Sequence, residues 1–269
     1  IVQEYHQEAQ KTKDVKTYQL ARDIYKEYLL NFAEAEHAYR LRFYYAEILY
    51  ALDEFEKAAE QYSLVVDKNR KGEFSEKAAY NAVLALQRLV DAEAKGQTIK
   101  EKEGGKVDEK QTKKGIDSKI NLKDMKLSKD KIYEKKEIPR LEKLLATACD
   151  RFTEFYPKNA EFFAVKFKTS HIYYKYNHFD EASKRFGEFI DRYPENKYSQ
   201  YAADLILDSY NIKEDWKNVH YWAKRFTDVK KLASQPDENN KKLQFLVHLH
   251  EVVEGARFKI AMDIMDKER

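Results

Sequence analysis

A single cysteine, Cys149, stands in the whole chain, which excludes an internal disulfide and any thiolate cluster around a metal. Prolines number 4 and glycines 7, too few for the many turns of a sandwich or barrel, and no stretch sustains the polar–apolar alternation of a half-buried strand. There is no apolar run of about 18 residues to cross a bilayer, and no charged-then-apolar leader opens at Ile1. Catalytic signatures are missing as well. The glycines build no phosphate-binding loop, and no nucleophile elbow is present. The closest approach to a metal helix is His250-Glu251-Val252-Val253-Glu254, with Glu where the second His must stand. His248 and His250 point to different helix faces. Glu34 and His37 have the spacing of a carboxylate-bridged site but no second copy. No enzyme activity, cofactor or metal is expected.

What is present is charge and aromatic surface. Charged residues make up 36% and hydrophobic ones 43%, and the aromatic share of 14% rests on 20 Tyr and 15 Phe. Such a chain can bury a continuous core while keeping a solvated face on every helix, so the class is all-α. Cys149 reads as a packing residue on one of these helices.

The spacing of the aromatics is more specific. In HFDEASKRFGEFIDRYP, Ala182, Phe186 and Phe189 fall three and four residues apart and form one helical stripe, with a small residue where a neighbouring helix must come close. Pro194 ends that helix. Upstream, Ser170 and Tyr173 give a first helix with its own small crossing residue, and Phe179 opens the second. Laid against itself, the chain repeats the pattern. One copy holds Ala46, Leu49, Tyr50, Phe55, Ala58, Tyr62 and Val65. Another keeps Tyr210, Trp216 and Phe226 but has Val219 in place of the small Ala, which predicts a wider helix spacing there. A third is split: residues 74–90 read as a first helix with Ala82 or Val83 at its crossing, and the partner comes only at residues 139–157. At the beginning, Ala21, Tyr25 and Tyr28 have second-helix spacing, so the front half of that unit is residues 1–13 or lies before them. At the end, Phe258, Ile260, Ala261 and Ile264 begin a further first helix, and the array is expected to continue beyond Arg269. Four segments follow: helix pairs in 1–95, an insert at 96–137, further pairs in 138–235, and a long helix in 236–269.

The insert holds 13 Lys against 9 Asp or Glu, and four of the chain's glycines. Its composition predicts a solvated, partly disordered or helix-extending excursion. The functional alternative is a docking arm for an acidic partner, a peptidoglycan-like polymer or anionic head groups. Its lysines alternate with acids and have no aromatic neighbours except Tyr133, so nucleic acid is not an expected partner. Ile120, Leu122, Met125, Leu127 and Ile132 offer apolar points at which the arm could return to the helices.

The segments FGEFIDRYPENKYSQYAAD, FTEFYPKNAEFFAVKF and YLLNFAEAEHAYRLRF resemble the tetratricopeptide repeats of bacterial envelope proteins, such as the lipoprotein of the β-barrel assembly machinery and the periplasmic coordinator of the Tol-Pal system. The likeness covers most of residues 14–230 outside the insert and restarts near 255; the insert and Val219 depart from it. It implies a right-handed α-solenoid of antiparallel helix pairs whose first helices line a concave face. Projected on that register, the partner-binding residues are Arg40, Phe43, Glu47 and Tyr50; Lys77, Tyr80, Gln87 and Arg88; Phe167, His171, Tyr174 and Lys175; and Tyr201, Asp204, Asp208 and Asn211. Tyr and Arg are frequent binding anchors, although aromatics at these positions also fill helix crossings. The resemblance implies a non-catalytic adaptor for a protein or peptide, in a periplasmic or outer-membrane-associated assembly, with the cytoplasm as the alternative compartment. A second expectation is a regulatory or targeting arm of a larger protein. Self-association through the last helix is a further expectation, since an unpaired first helix exposes its apolar face.

Overall fold

The computed structural model describes residues 2–107, 115–122, 134–229, 232 and 241–267. Among them run eleven α-helices and no strand: α1 (Val2–Thr12), α2 (Val15–Asn31), α3 (Ala38–Ala51), α4 (Phe55–Lys68), α5 (Ser75–Ala94), α6 (Arg140–Phe155), α7 (Phe162–Lys175), α8 (Phe179–Arg192), α9 (Ser199–Ile212), α10 (Trp216–Asp228) and α11 (Lys241–Lys267). The chain forms two compact units, Ile1–Lys119 with Pro139–Phe162, and Ile120–Ile138 with Phe163–Arg269.

In the first unit each helix from α1 to α5 packs on its successor, so α5 and α6 are partners although the insert separates them in sequence. The front half of the opening pair lies within the chain, as α1. Both candidates for the split crossing are buried, and Ala82 is the one that lies beside Ala148 of α6 and Ser63 of α4. In the second unit α8 packs on α9, α9 on α10 and α10 on α11. α7 meets α8 through Phe167 and Phe186, with ring centroids 5.4 Å apart, and through Phe163 and Phe189 at 6.3 Å. α8 shows why these segments are helical. Phe179, Ala182, Phe186, Phe189 and Ile190 share a buried face, Asp180 and Glu181 lie in its first turn and Arg192 in its last, which suits the helix dipole. Gly187 has a specific use: a Cβ there would stand 2.8 Å from the Trp222 ring, so glycine lets α10 bring that ring against α8.

Two turns recur. Between pairs, Phe32 donates its N–H to the Tyr28 carbonyl, Ala35 to Phe32 and Ala38 to Ala35. The same ladder is built on Asn69, Gly72 and Ser75, on Tyr156, Asn159 and Phe162, and in the second unit on Tyr193, Asn196 and Ser199. The side chains of Asn69, Asn159 and Asn196 each accept from the N–H two residues ahead, a local bond that favours the turn over a continuing helix. Within pairs, first helices end on a residue in the left-handed region: Asp53 at φ 63°, Asn177 at 62°, Glu214 at 54°. The residue after each donates back into the helix, Glu54 to Leu49, His178 to Tyr173 and Asp215 to Tyr210, which closes the last carbonyls. α5 ends the same way, on Gly96 at φ 65° with Gln97 donating to Ala92. The insert therefore departs after a complete helix cap, where other pairs begin the second helix.

Contacts between successive repeats keep one period. Lys68 with Glu34, Asn81 with Glu47, Tyr174 with Asp208, and Arg225 with Asp191 are all separated by 34 residues. Aromatic stacking is equally regular, with the two rings 31 residues apart in both units: Phe43 lies on Phe74 at 4.6 Å and 17°, and Phe167 on Tyr198 at 4.9 Å and 20°.

Most described residues of the insert are exposed, and it is tied to the helices at separate points. In the first unit, Val15 donates to the Gly105 carbonyl at 3.0 Å and Val107 to Lys13 at 2.8 Å, while Lys102 donates to Leu52 at 3.2 Å. Arg22 joins the buried Glu54 to Glu101 of the insert. In the second unit, Asn177 donates to the Glu134 carbonyl at 2.7 Å and Lys136 to Tyr176 at 3.1 Å. Among the described residues of the segment Val107 and Ile116 are buried; of the run expected from sequence, Ile120 and Leu122 are half-buried and Met125, Leu127 and Ile132 lie outside the described residues. The final helix runs without a break over Lys241–Lys267, inside the long helix expected in 236–269, and the restart expected near residue 255 falls within it; residues 236–240 lie outside the described residues.

Two substitutions separate packing from backbone strain. Phe186 is fully buried, and Phe186→Ala should cost on the order of 3 kcal/mol in denaturant unfolding. Glu214 holds a left-handed conformation that its side chain does not favour, so Glu214→Gly should raise stability by about 0.5–1 kcal/mol, read as a higher urea midpoint at unchanged slope.

Candidate functional site

The residues projected onto the first helices divide by burial. In the first unit, Arg40 is exposed and its Nε donates to the Tyr44 hydroxyl at 3.3 Å. Lys77 is exposed and holds its ammonium 5.2 Å from the Phe43 ring. Glu47 is half-buried and accepts from the Tyr62 phenol and, at 2.7 Å, from the Asn81 amide. Burial, reinforced by the Glu47 carboxylate, pushes the Tyr62 phenol well up. Arg88 hydrogen-bonds Tyr50, whose phenol burial also raises. Phe43 and Tyr50 themselves are 2% and 8% exposed. They are core residues, packed on Phe74 and Phe55, and are not available as partner anchors.

The second unit repeats this outcome. Phe167 and Tyr174 are 0% exposed. Phe167 is covered by Tyr198, and the Tyr174 hydroxyl donates to Asp208, so these three projected positions, Asp208 included, serve contact between helices. The physical reason is shared: the ring on each first helix meets the ring that opens the next one, and both leave water. His171 and Asp204 are half-buried, as is Asn211; Lys175 is exposed with its ammonium 5.1 Å from the Tyr176 ring. Tyr201 keeps 39% of its surface in solvent.

Tyr80 is the projected residue with most company. Half-buried on α5, its ring lies 5.3 Å from that of Phe152, and its hydroxyl accepts the Ile116 N–H at 3.0 Å. Burial raises its phenol, with Glu161 adding to the shift. Gln87, one of the projected set, is 3% exposed and donates to Asp91 at 2.5 Å.

Sequence spacing missed a cluster at the start of the chain. His6 is 8% exposed, with Nδ1 3.0 Å from the Tyr25 hydroxyl and its ring edge-on to Tyr25 and Tyr44. The only signal was its place between the apolar positions of α1. Burial holds the His6 imidazole below its usual value, against a smaller upward pull from Glu47.

A groove of about 450 Å³ lies elsewhere, on the second helices α4 and α6, where no site was expected. Ala59, Ser63, Ala148 and Leu86 line it, and Arg140 pairs with Glu56 among its lining residues. Among the described residues no three His, Cys, Asp or Glu side chains are grouped to hold a metal, and no helix is long and apolar enough to cross a membrane. His248 and His250 are exposed on α11.

No protein-family model matches the chain, and no curated protein matches it.

The His6 shift fixes the sign of a pH effect. The folded state disfavours the imidazolium, so below the ordinary value of about 6.5 the unfolded chain takes up a proton that the folded one resists, and stability falls as pH falls. Urea midpoints should drop between about pH 6.5 and pH 5 in the parent, and His6→Phe should flatten that part of the profile.

Proposed function

We infer that the chain is a non-catalytic scaffold that holds a protein or peptide partner on the first-helix faces of a right-handed solenoid of antiparallel helix pairs. One observation carries the reading. The same hydrogen-bonded turn joins successive pairs four times, and such repetition makes a series of equivalent faces rather than one catalytic cleft. Antiparallel pairing is supported by the order of contacts in α7 and α8, where Phe163 meets Phe189, Phe167 meets Phe186 and Tyr174 meets Phe179. Right-handedness and a bacterial envelope setting rest on the tetratricopeptide resemblance. With Phe43, Tyr50, Phe167 and Tyr174 enclosed, the partner-facing set narrows to exposed or half-exposed side chains, Arg40, Tyr44, Lys77, Tyr80 and Tyr201 among them. α11 adds a surface suited to a second copy, since Phe258, Ile264 and Met265 are 65%, 53% and 52% exposed.

Site-specific photocrosslinking in the native cell tests the face. A benzophenone side chain at Tyr44 or Tyr201 should trap a discrete partner, and one at Leu64 or Leu144, exposed on second helices, should not. Trapping only from the second-helix positions would overturn the assignment. Sedimentation velocity reads α11: the parent should show reversible dimer, and Phe258→Glu should leave monomer.

A further inference from the structure

Part of the chain already sits on the first-helix face of the first unit. Ile116 is 1% exposed although its segment is among the most polar in the sequence, and its N–H donates to the Tyr80 hydroxyl at 3.0 Å. The next N–H, of Asp117, reaches Glu161 Oε2 at 3.1 Å. A short 3-10 turn, Asp117–Lys119, follows, and Lys119 Nζ ends 2.9 Å from Asp91 Oδ2. Gly115 leaves room for the Glu161 carboxylate, which a Cβ there would push aside, away from the Asp117 N–H it accepts. Two main-chain donors, one enclosed aliphatic side chain, one cation and one glycine are thus each met by a side chain of the helical framework. This is how a groove reads a peptide, with main-chain bonds giving affinity and side-chain pockets giving sequence. Beside it Gln87, which donates to Asp91, is 3% exposed, and its Oε1 accepts from no donor among the described residues. Buried acceptors are ordinarily satisfied, so this one is an unmet acceptor next to the segment's ion-pair partner.

We propose that this face of α5 is a recognition site for a protein segment of the pattern Gly-aliphatic-x-x-Lys, and that residues 115–119 are its resident competitor, which a partner must displace in order to bind. The inference rests on the scaffold reading and gives it a sequence preference and a gate. Tethering sets the strength of the gate. A segment held in the same chain acts at an effective concentration of about 1 mM, so a free segment with a dissociation constant near 0.1 mM is held back about tenfold.

The test is fluorescence anisotropy with a labelled peptide of residues 115–122, GIDSKINL, titrated into the full chain and into Ile116→Asp, with circular dichroism confirming equal helix content. The variant should bind the peptide about tenfold more tightly than the parent. A peptide with Ala in place of the glycine should lose most of that affinity, and Tyr80→Phe in the variant background should weaken binding. Lys119→Glu loosens the same segment from a half-buried ion pair, and it carries the measurement if Ile116→Asp does not fold. Equal affinity of parent and folded variants, no binding to either, or indifference to the glycine and to Tyr80 would each overturn the proposal. No external partner enters the assay, so a negative result here leaves the photocrosslinking outcome, and with it the scaffold reading, standing.

Discussion

Stacked rings at the start of α5 and of α9 hold neighbouring repeats in register. Phe43 on Phe74 and Phe167 on Tyr198 are the same contact made twice, nearly parallel in both units. Each removes two large apolar surfaces from water, a contribution of several kcal/mol per pair. The stack also dictates the turn beside it. To place Phe74 or Tyr198 against the preceding first helix, the chain must leave the second helix within a few residues, and the ladder of hydrogen bonds does that while pairing a main-chain donor at every third residue of the turn. The serines at the next position complete it: Ser75 bonds the Asn69 carbonyl and Ser199 the Tyr193 carbonyl.

The same economy has a functional consequence. Rings consumed between helices cannot also meet a partner, so on the proposed scaffold reading recognition would fall to side chains outside those crossings, such as Arg40, Lys77, Tyr80 and Tyr201. Around Tyr80 the chain's own insert fills the space. It can do so because α5 finishes on a complete left-handed cap at Gly96 before the detour begins, and α6 still finds its partner afterwards. A long excursion between two packed helices costs only a slowly growing loop entropy, and the hydrogen bonds at Gly105, Val107, Ile116 and Asp117 return part of it to the framework. Glu54, nearly enclosed, is matched by Arg22 and Lys57, as a buried carboxylate must be.

Most of the helical plan was legible in the spacing of residues. Ala58 with Tyr62, and Ala182 with Phe186, could only be helix stripes, and the split pair was identifiable because residues 74–90 and 139–157 each lacked a partner nearby. The departures have physical reasons. An aromatic at a crossing and an aromatic at a binding face have the same spacing, so Phe43, Tyr50, Phe167 and Tyr174 could not be sorted from Tyr80 and Tyr201 without knowing which ring follows in space. Thirteen lysines predict a solvated insert, and most of its described residues are exposed; its points of attachment are decided by single residues, Val107 and Ile116, and by main-chain hydrogen bonds that composition does not record. His6 was invisible because nothing in its neighbours along the chain announces Tyr25 and Tyr44 around it.

The sequence by itself determined the secondary structure, the pairing of neighbouring helices and the period of repetition, because those follow from side-chain volume and polarity at fixed helical offsets. Tertiary structure alone decided which aromatics remain accessible and where the described parts of the lysine-rich segment are attached. Both depend on contacts between residues far apart in the chain, such as Tyr80 with Ile116 and Gly105 with Val15, where the enclosing atoms come from elements that no local pattern brings together.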